Sequence, residues 1–274
     1  MKIIVTGSST GIGRSLTLAL LSAGHQVWGL ARSAQDDLAI KFPDQFKSSR
    51  CDVTVWDEVE SVKKNITNTW GHIDALITAA GIQGEIAPAL SADPKAWSDT
   101  VRSNIDGTYF PIRCFSSLFN TTEHRAKVIC FSGGGATKSR PSFSAYGSAK
   151  TAIVRLVETI AEEEKSNAFD ITCIAPGAIN TRLTDEVIAK GPALAGKLEY
   201  EAALKQKANG GQSLDKAIAI ILWLLSAASD GISGKLLSAQ WDPWNSLETH
   251  KEVLKTTDIY TLRRILPEER KNSF

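Results

Sequence analysis

Hydrophobic residues along this chain fall into seven short runs, separated by longer stretches of helical period. The runs occupy 3–6, 26–31, 46–51, 73–78, 127–131, 170–174 and 235–237. Most lack strict alternation of apolar and polar positions, as expected of strands covered on both faces. Helical periodicity fills 11–23, 57–70, 94–117, 144–165 and 214–227. Gly24, Gly71 and Gly107 punctuate these stretches. Gly24 and Gly71 stand where C-terminal caps belong, and Asp93 precedes Pro94 as an N-cap precedes a first-turn proline. Strand alternating with helix predicts an α/β fold, a doubly wound parallel sheet with its ligand site at the carboxyl ends of the strands. No repeat or low-complexity linker divides the chain, so a single domain is expected.

Composition narrows the partners. The 274 residues, 43% hydrophobic and 22% charged, suit one large soluble core. A net charge of +1 without a basic run argues against nucleic acid or an anionic membrane surface. The longest apolar candidate, 217–228, is too short to span a bilayer. The first strand begins at Lys2, so no signal peptide is expected and the expected location is the cytoplasm. Cys51, Cys114, Cys130 and Cys173 are widely spaced, and three of them fall in predicted strands. Buried reduced thiols are expected there, and no metal site.

The candidate chemistry lies in two motifs. Thr6-Gly7-Ser8-Ser9-Thr10-Gly11-Ile12-Gly13 follows the first predicted strand and opens the first helix. Such a glycine turn aims backbone N–H groups at a pyrophosphate. Far downstream, Tyr146 and Lys150 stand four residues apart and so share one face of a predicted helix. An ammonium beside a phenol favours phenolate, so Lys150 is expected to lower the Tyr146 pKa into a useful range. A proton donor beside a dinucleotide is the minimum equipment for moving hydride to or from a carbonyl.

The spacing T-G-x-x-x-G-x-G at the turn is followed in order by Asp52-Val53, Ala79-Ala80-Gly81, Asn104, Tyr146 with Lys150, and Pro176-Gly177. In these landmarks the chain resembles the short-chain dehydrogenase/reductase family in its compact form, over roughly residues 1–240. The resemblance implies a Rossmann-like domain over 1–240 with a helical substrate lid at about 182–211, and a tail, 241–274, packed on the same domain. It also implies roles. Tyr146 exchanges the proton on the substrate oxygen, while Lys150 holds the nicotinamide ribose. Asn104 holds a relay water. Gly7, Gly11, Ile12 and Gly13 cradle the pyrophosphate. Asp52 and Val53 flank the adenine. Ala79, Ala80 and Gly81 approach the cofactor through their backbone. Pro176 and Gly177 turn the chain beneath the nicotinamide, and Ile179 and Thr181 face its carboxamide. A small alcohol or carbonyl substrate and a homodimer or homotetramer are expected.

Two departures from the family pattern bear on the site. Ala79 stands where an asparagine usually braces the sheet. The catalytic serine, thirteen residues before the tyrosine, falls on Gly133, and Ser132 lies one position early. Neighbouring strand residues face opposite ways, so Ser132 reaches the substrate only if the strand end turns. The glycines 133–135 permit this. A backbone N–H of that run, Ser142 or Thr137 are the alternatives.

Cofactor choice is read at the end of the second strand. Ala31 occupies the acidic position of NAD-binding chains, and Arg32 follows it. A guanidinium pairs with a 2′-phosphate, and Ser9 and Ser33 can add hydroxyl contacts. NADP(H) is therefore favoured, with NAD(H) as the alternative and Arg32 stacked on adenine or simply solvated. Within the lid, Arg182 is near enough to meet an anionic substrate. Trp241 and Trp244 wall the pocket, anchor the tail or bury a subunit contact. Two function classes remain: an NAD(P)-dependent oxidoreductase on a secondary alcohol or ketone, and a dinucleotide-binding sensor or scaffold of the same fold.

Overall fold

A computed structural model describes residues 1–122, 124–165 and 169–270. Seven strands form one parallel sheet: β1 (Lys2–Thr6), β2 (Gln26–Ala31), β3 (Phe46–Arg50), β4 (Ala75–Thr78), β5 (Ala126–Phe131), β6 (Phe169–Ala175) and β7 (Lys235–Ser238). Their order is β3-β2-β1-β4-β5-β6-β7. The order reverses between β1 and β4, which opens a crevice at their carboxyl ends. The central strands β4 and β5 are buried along their whole length, which explains their continuous apolar runs. The edge strand β3, Phe-Lys-Ser-Ser-Arg, is mostly exposed.

Helices cover both faces. α1 (Gly11–Ser22) packs on one, joined there by α8 (Asp215–Leu224) and the short α2 (Asp36–Lys41). On the other lie α3 (Trp56–Trp70), α4 (Pro94–Phe115) and α5 (Ser144–Glu163). Each fully buried leucine or isoleucine here contributes on the order of 1.5–3 kcal/mol. The Asp93 carboxylate caps α4 by accepting from the Ala96 N–H at 2.7 Å, with Pro94 opening the first turn. Gly71 ends α3 with φ +73°, and Gly24 follows α1 with φ +84°.

Several sequence expectations change. Gly107 lies inside α4 and breaks nothing; a side chain there would begin 3.3 Å from Val53 Cγ2, so the glycine lets α4 approach the loop after β3. α2 escaped prediction because fewer than two turns carry no readable period. β4 begins at Ala75, two residues late; just before it the Asp74 carboxylate accepts the Lys2 backbone N–H at 2.6 Å. The polar residues inside β5 and β6 pair with each other. Lys127 Nζ lies 2.9 Å from Asp170 and 2.7 Å from Asp230, and Arg125 also meets Asp170 at 2.9 Å. Removing one partner of such a buried pair typically costs about 3–5 kcal/mol.

The segment predicted as lid is two helices, α6 (Arg182–Ala195) and α7 (Lys197–Ala208), with the chain kinked at Gly191-Pro192. Beyond β7, a 3-10 turn (Trp244–His250) and α9 (Lys251–Thr256) send Leu247 and Leu254 into the core beside α1 and α8. Residues 271–274 of the predicted tail lie outside the described residues. Among the described residues no helix is long and apolar enough to cross a membrane. All four cysteines are free and buried.

Candidate active site

The glycine turn sits at the crevice between β1 and β4. Gly7 has φ +69°, and a side chain on it would begin 2.8 Å from Ala80 Cα. A side chain on Gly13 would collide with the Gly7 carbonyl oxygen, so this glycine sets the close approach of α1 to the turn. Gly11, at φ +55°, faces open space, with only Thr181 Cγ2 at 3.9 Å. Thr10 caps α1 without a side-chain hydrogen bond, which leaves the first N–H groups of the helix for an anion. Where the family asparagine is replaced by Ala79, the neighbouring Ala80 N–H donates to Thr6 Oγ1 at 3.1 Å, so backbone and threonine brace the sheet.

At the ends of β2 and β3, Ala31 is buried and Arg32 is exposed, its guanidinium 3.9 Å from Asp52. Ser33 donates to Ser9 Oγ at 3.1 Å, tying this corner to the glycine turn. Asp52 also forms a turn, its Oδ1 accepting from the Thr54 N–H at 3.0 Å and hydroxyl at 2.7 Å. Val53 is buried against the α3–α4 side. The nearby Arg14 is taken up by Asp37.

The tyrosine end is a cleft of about 750 Å³. Ile12, Ala79, Gly81, Asn104, Ser132, Tyr146, Lys150, Pro176, Gly177, Ile179 and Thr181, all singled out from the sequence, line it together. Asn104 is fully buried rather than solvated. Its Nδ2 donates to the carbonyls of Thr100 at 2.9 Å and Ile82 at 3.1 Å, leaving Oδ1 unpartnered. A side chain on Gly81 would begin 2.9 Å from that Oδ1 and 3.5 Å from Lys150 Nζ, so the two groups flank one small space. Lys150 Nζ donates to the Phe131 carbonyl at 3.1 Å and lies 5.5 Å from the Tyr146 ring centroid.

Burial governs both titrations. It lowers the Lys150 pKa to about 8. It raises the Tyr146 pKa to about 12, against which the Arg140 charge acts. The expected lowering by Lys150 is not seen: desolvation of the phenolate sets the direction, and Arg140 is the cation that acts against it.

Ser132 is placed differently from the sequence expectation. Val128 and Cys130 pack on the α5 side of the sheet while Ile129 and Phe131 pack on the other. Alternation within the strand brings Ser132 to the α5 face, and the chain turns just after it, where the Ala136 N–H donates to the Gly133 carbonyl at 3.2 Å. Its Oγ is buried in the cleft beside the Cys173 thiol, without a hydrogen bond of ordinary geometry. Gly133 has no room for a serine: a side chain would begin 2.5 Å from the Tyr146 hydroxyl. Thr137 also lines the cleft, whereas Ser142 does not line it.

The family model described as short chain dehydrogenase matches residues 1–191. The chain belongs to the short chain dehydrogenase family. Its relatives include the short chain dehydrogenase mpl6 of Monascus purpureus, 28% identical over 264 residues, which span 92% of this chain and 85% of that one. A short chain dehydrogenase/reductase from Saccharomyces cerevisiae has the same fold, with a TM-score of 0.79 at 24% identity over 89% of this chain and 98% of that one. A protein from Shigella flexneri 2a, complexed with NADP, aligns with a TM-score of 0.73 at 19% identity over 87% and 96% of the two chains. This short chain dehydrogenase is thus a member of an oxidoreductase family that binds NAD(P). The glycine cradle, the buried Ser132 Oγ and the orphaned Asn104 Oδ1 fit such a dinucleotide.

The remaining walls of the dehydrogenase cleft come from residues that no motif flagged. Gln212, in the wall, accepts at Oε1 from the Ala178 N–H at 2.8 Å, and Gln240, outside the lining, donates from Nε2 to the Pro176 carbonyl at 3.1 Å. Both crowd Gly177, at φ +97°, so only glycine fits there. Thr181 caps α6, accepting from the Leu183 N–H at 3.3 Å. Arg182 does not meet the cleft; its side chain is 86% exposed and pairs with Glu186 at 2.8 Å. The two tryptophans separate. Trp244 packs on Trp223 with ring centroids 6.1 Å apart and anchors the tail, while Trp241 stands exposed at the cleft.

Proposed function

We propose that this short chain dehydrogenase interconverts a ketone and a secondary alcohol, with Tyr146 as general acid and base and NADP(H) as its preferred cofactor. The observation that carries this reading is the convergence of Tyr146, Lys150, Asn104 and the buried Ser132 Oγ on one cleft beside the glycine turn. When bound, the nicotinamide supplies or accepts the hydride. Gly7, Ser9, Gly11, Ile12 and Gly13 would hold the pyrophosphate at the N-terminus of α1. Asp52 and Val53 would flank the adenine. Ala79, Ala80 and Gly81 would approach the cofactor by backbone, and Pro176, Gly177, Ile179 and Thr181 would close around the nicotinamide end. Arg32, exposed and only loosely paired, is suited to a 2′-phosphate, and no carboxylate stands at Ala31 to oppose it. The NADP-bound Shigella flexneri relative in fold is compatible with this choice.

Ser132 Oγ orients the substrate oxygen, and Tyr146 exchanges its proton. A phenol held at about 12 is protonated across the physiological range, ready to donate to a carbonyl oxygen. Lys150 holds the nicotinamide ribose, and the space it shares with Asn104 Oδ1 and Gly81 suits a relay water. Leu183, Val187, Leu236 and Trp241 make the substrate side apolar, which suits a small carbonyl compound. The sensor alternative rests on Gly133; the Ser132 hydroxyl in the cleft favours the oxidoreductase reading. The test is NADPH oxidation across a panel of ketones and aldehydes: turnover of at least one supports the reading, and tight NADPH binding with no turnover on any would overturn it.

A further inference from the structure

Between the glycine run after β5 and the start of α5, Arg140 is held from several sides. Its Nε and Nη2 donate to Glu199 Oε2 of α7 at 3.1 and 2.8 Å. Its guanidinium lies 3.7 Å from the Phe143 ring centroid. Its stem and Nη1 lie along Gly134 and Gly135, where any side chain would begin 3.5–3.9 Å from it. Phe143 is itself fully buried, in a small core with Ile86, Val187, Ala195 and Ala203 that joins this loop to α6 and α7. Arg140 and Glu199 both line the cleft that contains Tyr146.

A solvated surface pair is worth little. This one differs in that both side chains are partly covered, at 21% and 32% exposure, and the planar group stacks and donates twice at once. Lysine has no planar face or fork with which to do both.

We propose that Arg140 is a positioning residue of the reaction, clamping α7 over the substrate cleft through Glu199 and fixing a positive charge on the Tyr146 side of it. The clamp rests on the geometry alone; its consequence for turnover rests on the oxidoreductase reading above. Four other charged side chains face the same cleft. Lys150 comes from α5 and Lys138 from the Arg140 loop, while Glu199 comes from α7. Asp242 follows β7, and its carboxylate accepts from the Ser238 N–H at 2.7 Å. Of these, Arg140 is the cation that opposes the upward push of burial on Tyr146.

The experiment compares Glu199→Gln, Arg140→Gln and Arg140→Lys in the full chain. Amide hydrogen exchange in α7 is followed in the free protein, and kcat, KM and the pH profile of kcat/KM on a ketone the wild type reduces. All three should speed exchange in α7 by about tenfold, the loss of a charge-assisted pair. KM should rise by a similar factor in Glu199→Gln, with kcat changed less than about threefold, because the clamp acts on closure and not on the proton. Arg140→Gln alone should also move the alkaline limb of kcat/KM upward, and Arg140→Lys should restore that limb without restoring α7 protection. Unchanged exchange in both Arg140→Gln and Glu199→Gln would overturn the clamp. An alkaline limb that Arg140→Gln leaves in place would overturn the charge. A wild type that turns over no carbonyl would sink the oxidoreductase reading instead, and the exchange data would still decide the clamp.

Discussion

Gly133 offers a sharp perturbation. It does not sit in the left-handed region, so an alanine there meets contact and not backbone strain. The added methyl would begin 2.5 Å from Tyr146 Oη and 3.1 Å from two carbons of its ring. Ordinary carbon contacts lie near 3.5–4.0 Å, so the tyrosine or the strand end must move by about 1 Å. Tyr146 is 7% exposed and follows the fully buried Phe143, so the ring has little freedom to give. Overpacking of this kind typically costs about 1–3 kcal/mol. In a chain of this size each kcal/mol lowers Tm by about 2–4 °C. A displacement of about 1 Å at the proton donor should cost on the order of a hundredfold in rate. The assay is kcat for Gly133→Ala with NADPH and a ketone the wild type reduces, beside thermal unfolding of both proteins. Wild-type kcat and Tm would refute the packing argument. A gain in Gly133→Ser would show that the family serine belongs at this position after all.

Ser132→Ala should lower kcat by around 10²–10³, the usual loss for one oxygen-stabilising hydrogen bond, without a change in NADPH affinity; an unchanged kcat would pass the role to Thr137 or a backbone N–H. Replacing Ala31 with Asp and Arg32 with Val should move preference from NADPH towards NADH by at least about tenfold, measured as the ratio of Kd values, and a wild type that already prefers NADH would contradict it. The Lys150 pKa falls from 10.5 unfolded to about 8 folded, so its charge opposes folding below pH 8 and this cost fades as pH rises towards 10.5. Denaturant unfolding of wild type and Lys150→Met at several pH values should therefore show the wild type gaining about 3 kcal/mol on the variant across that window; parallel pH curves would mean that Lys150 is not desolvated.

The fold was legible because the central strands are buried on both faces and the helices between them end on glycines with positive φ, as at Gly71. α2 was not, being too short for a period, and Gly107 was misread because a glycine that admits a neighbour resembles one that ends a helix. In the site, local motifs pointed to the residues that line the cleft near the glycine turn and on α5. The face of Ser132 was missed because counting back from Tyr146 gave Gly133, whereas the parity of Val128 and Cys130 within the strand was the better guide. Gln212, Gln240 and Arg140 could not be read locally. Their partners Ala178, Pro176 and Glu199 lie 34, 64 and 59 residues away in sequence, brought near only by the folded lid and the turn after β7.

The central claim, that Tyr146 gives and takes the substrate proton in an NADP(H)-dependent oxidoreductase, is tested most directly by Tyr146→Phe. The variant removes one buried oxygen and leaves the ring in place. NADPH affinity should stay within about threefold of wild type while turnover of the same ketone falls by about 10²–10⁴, the usual contribution of a positioned acid. A variant that keeps a tenth of wild-type kcat with unchanged cofactor affinity would contradict the account.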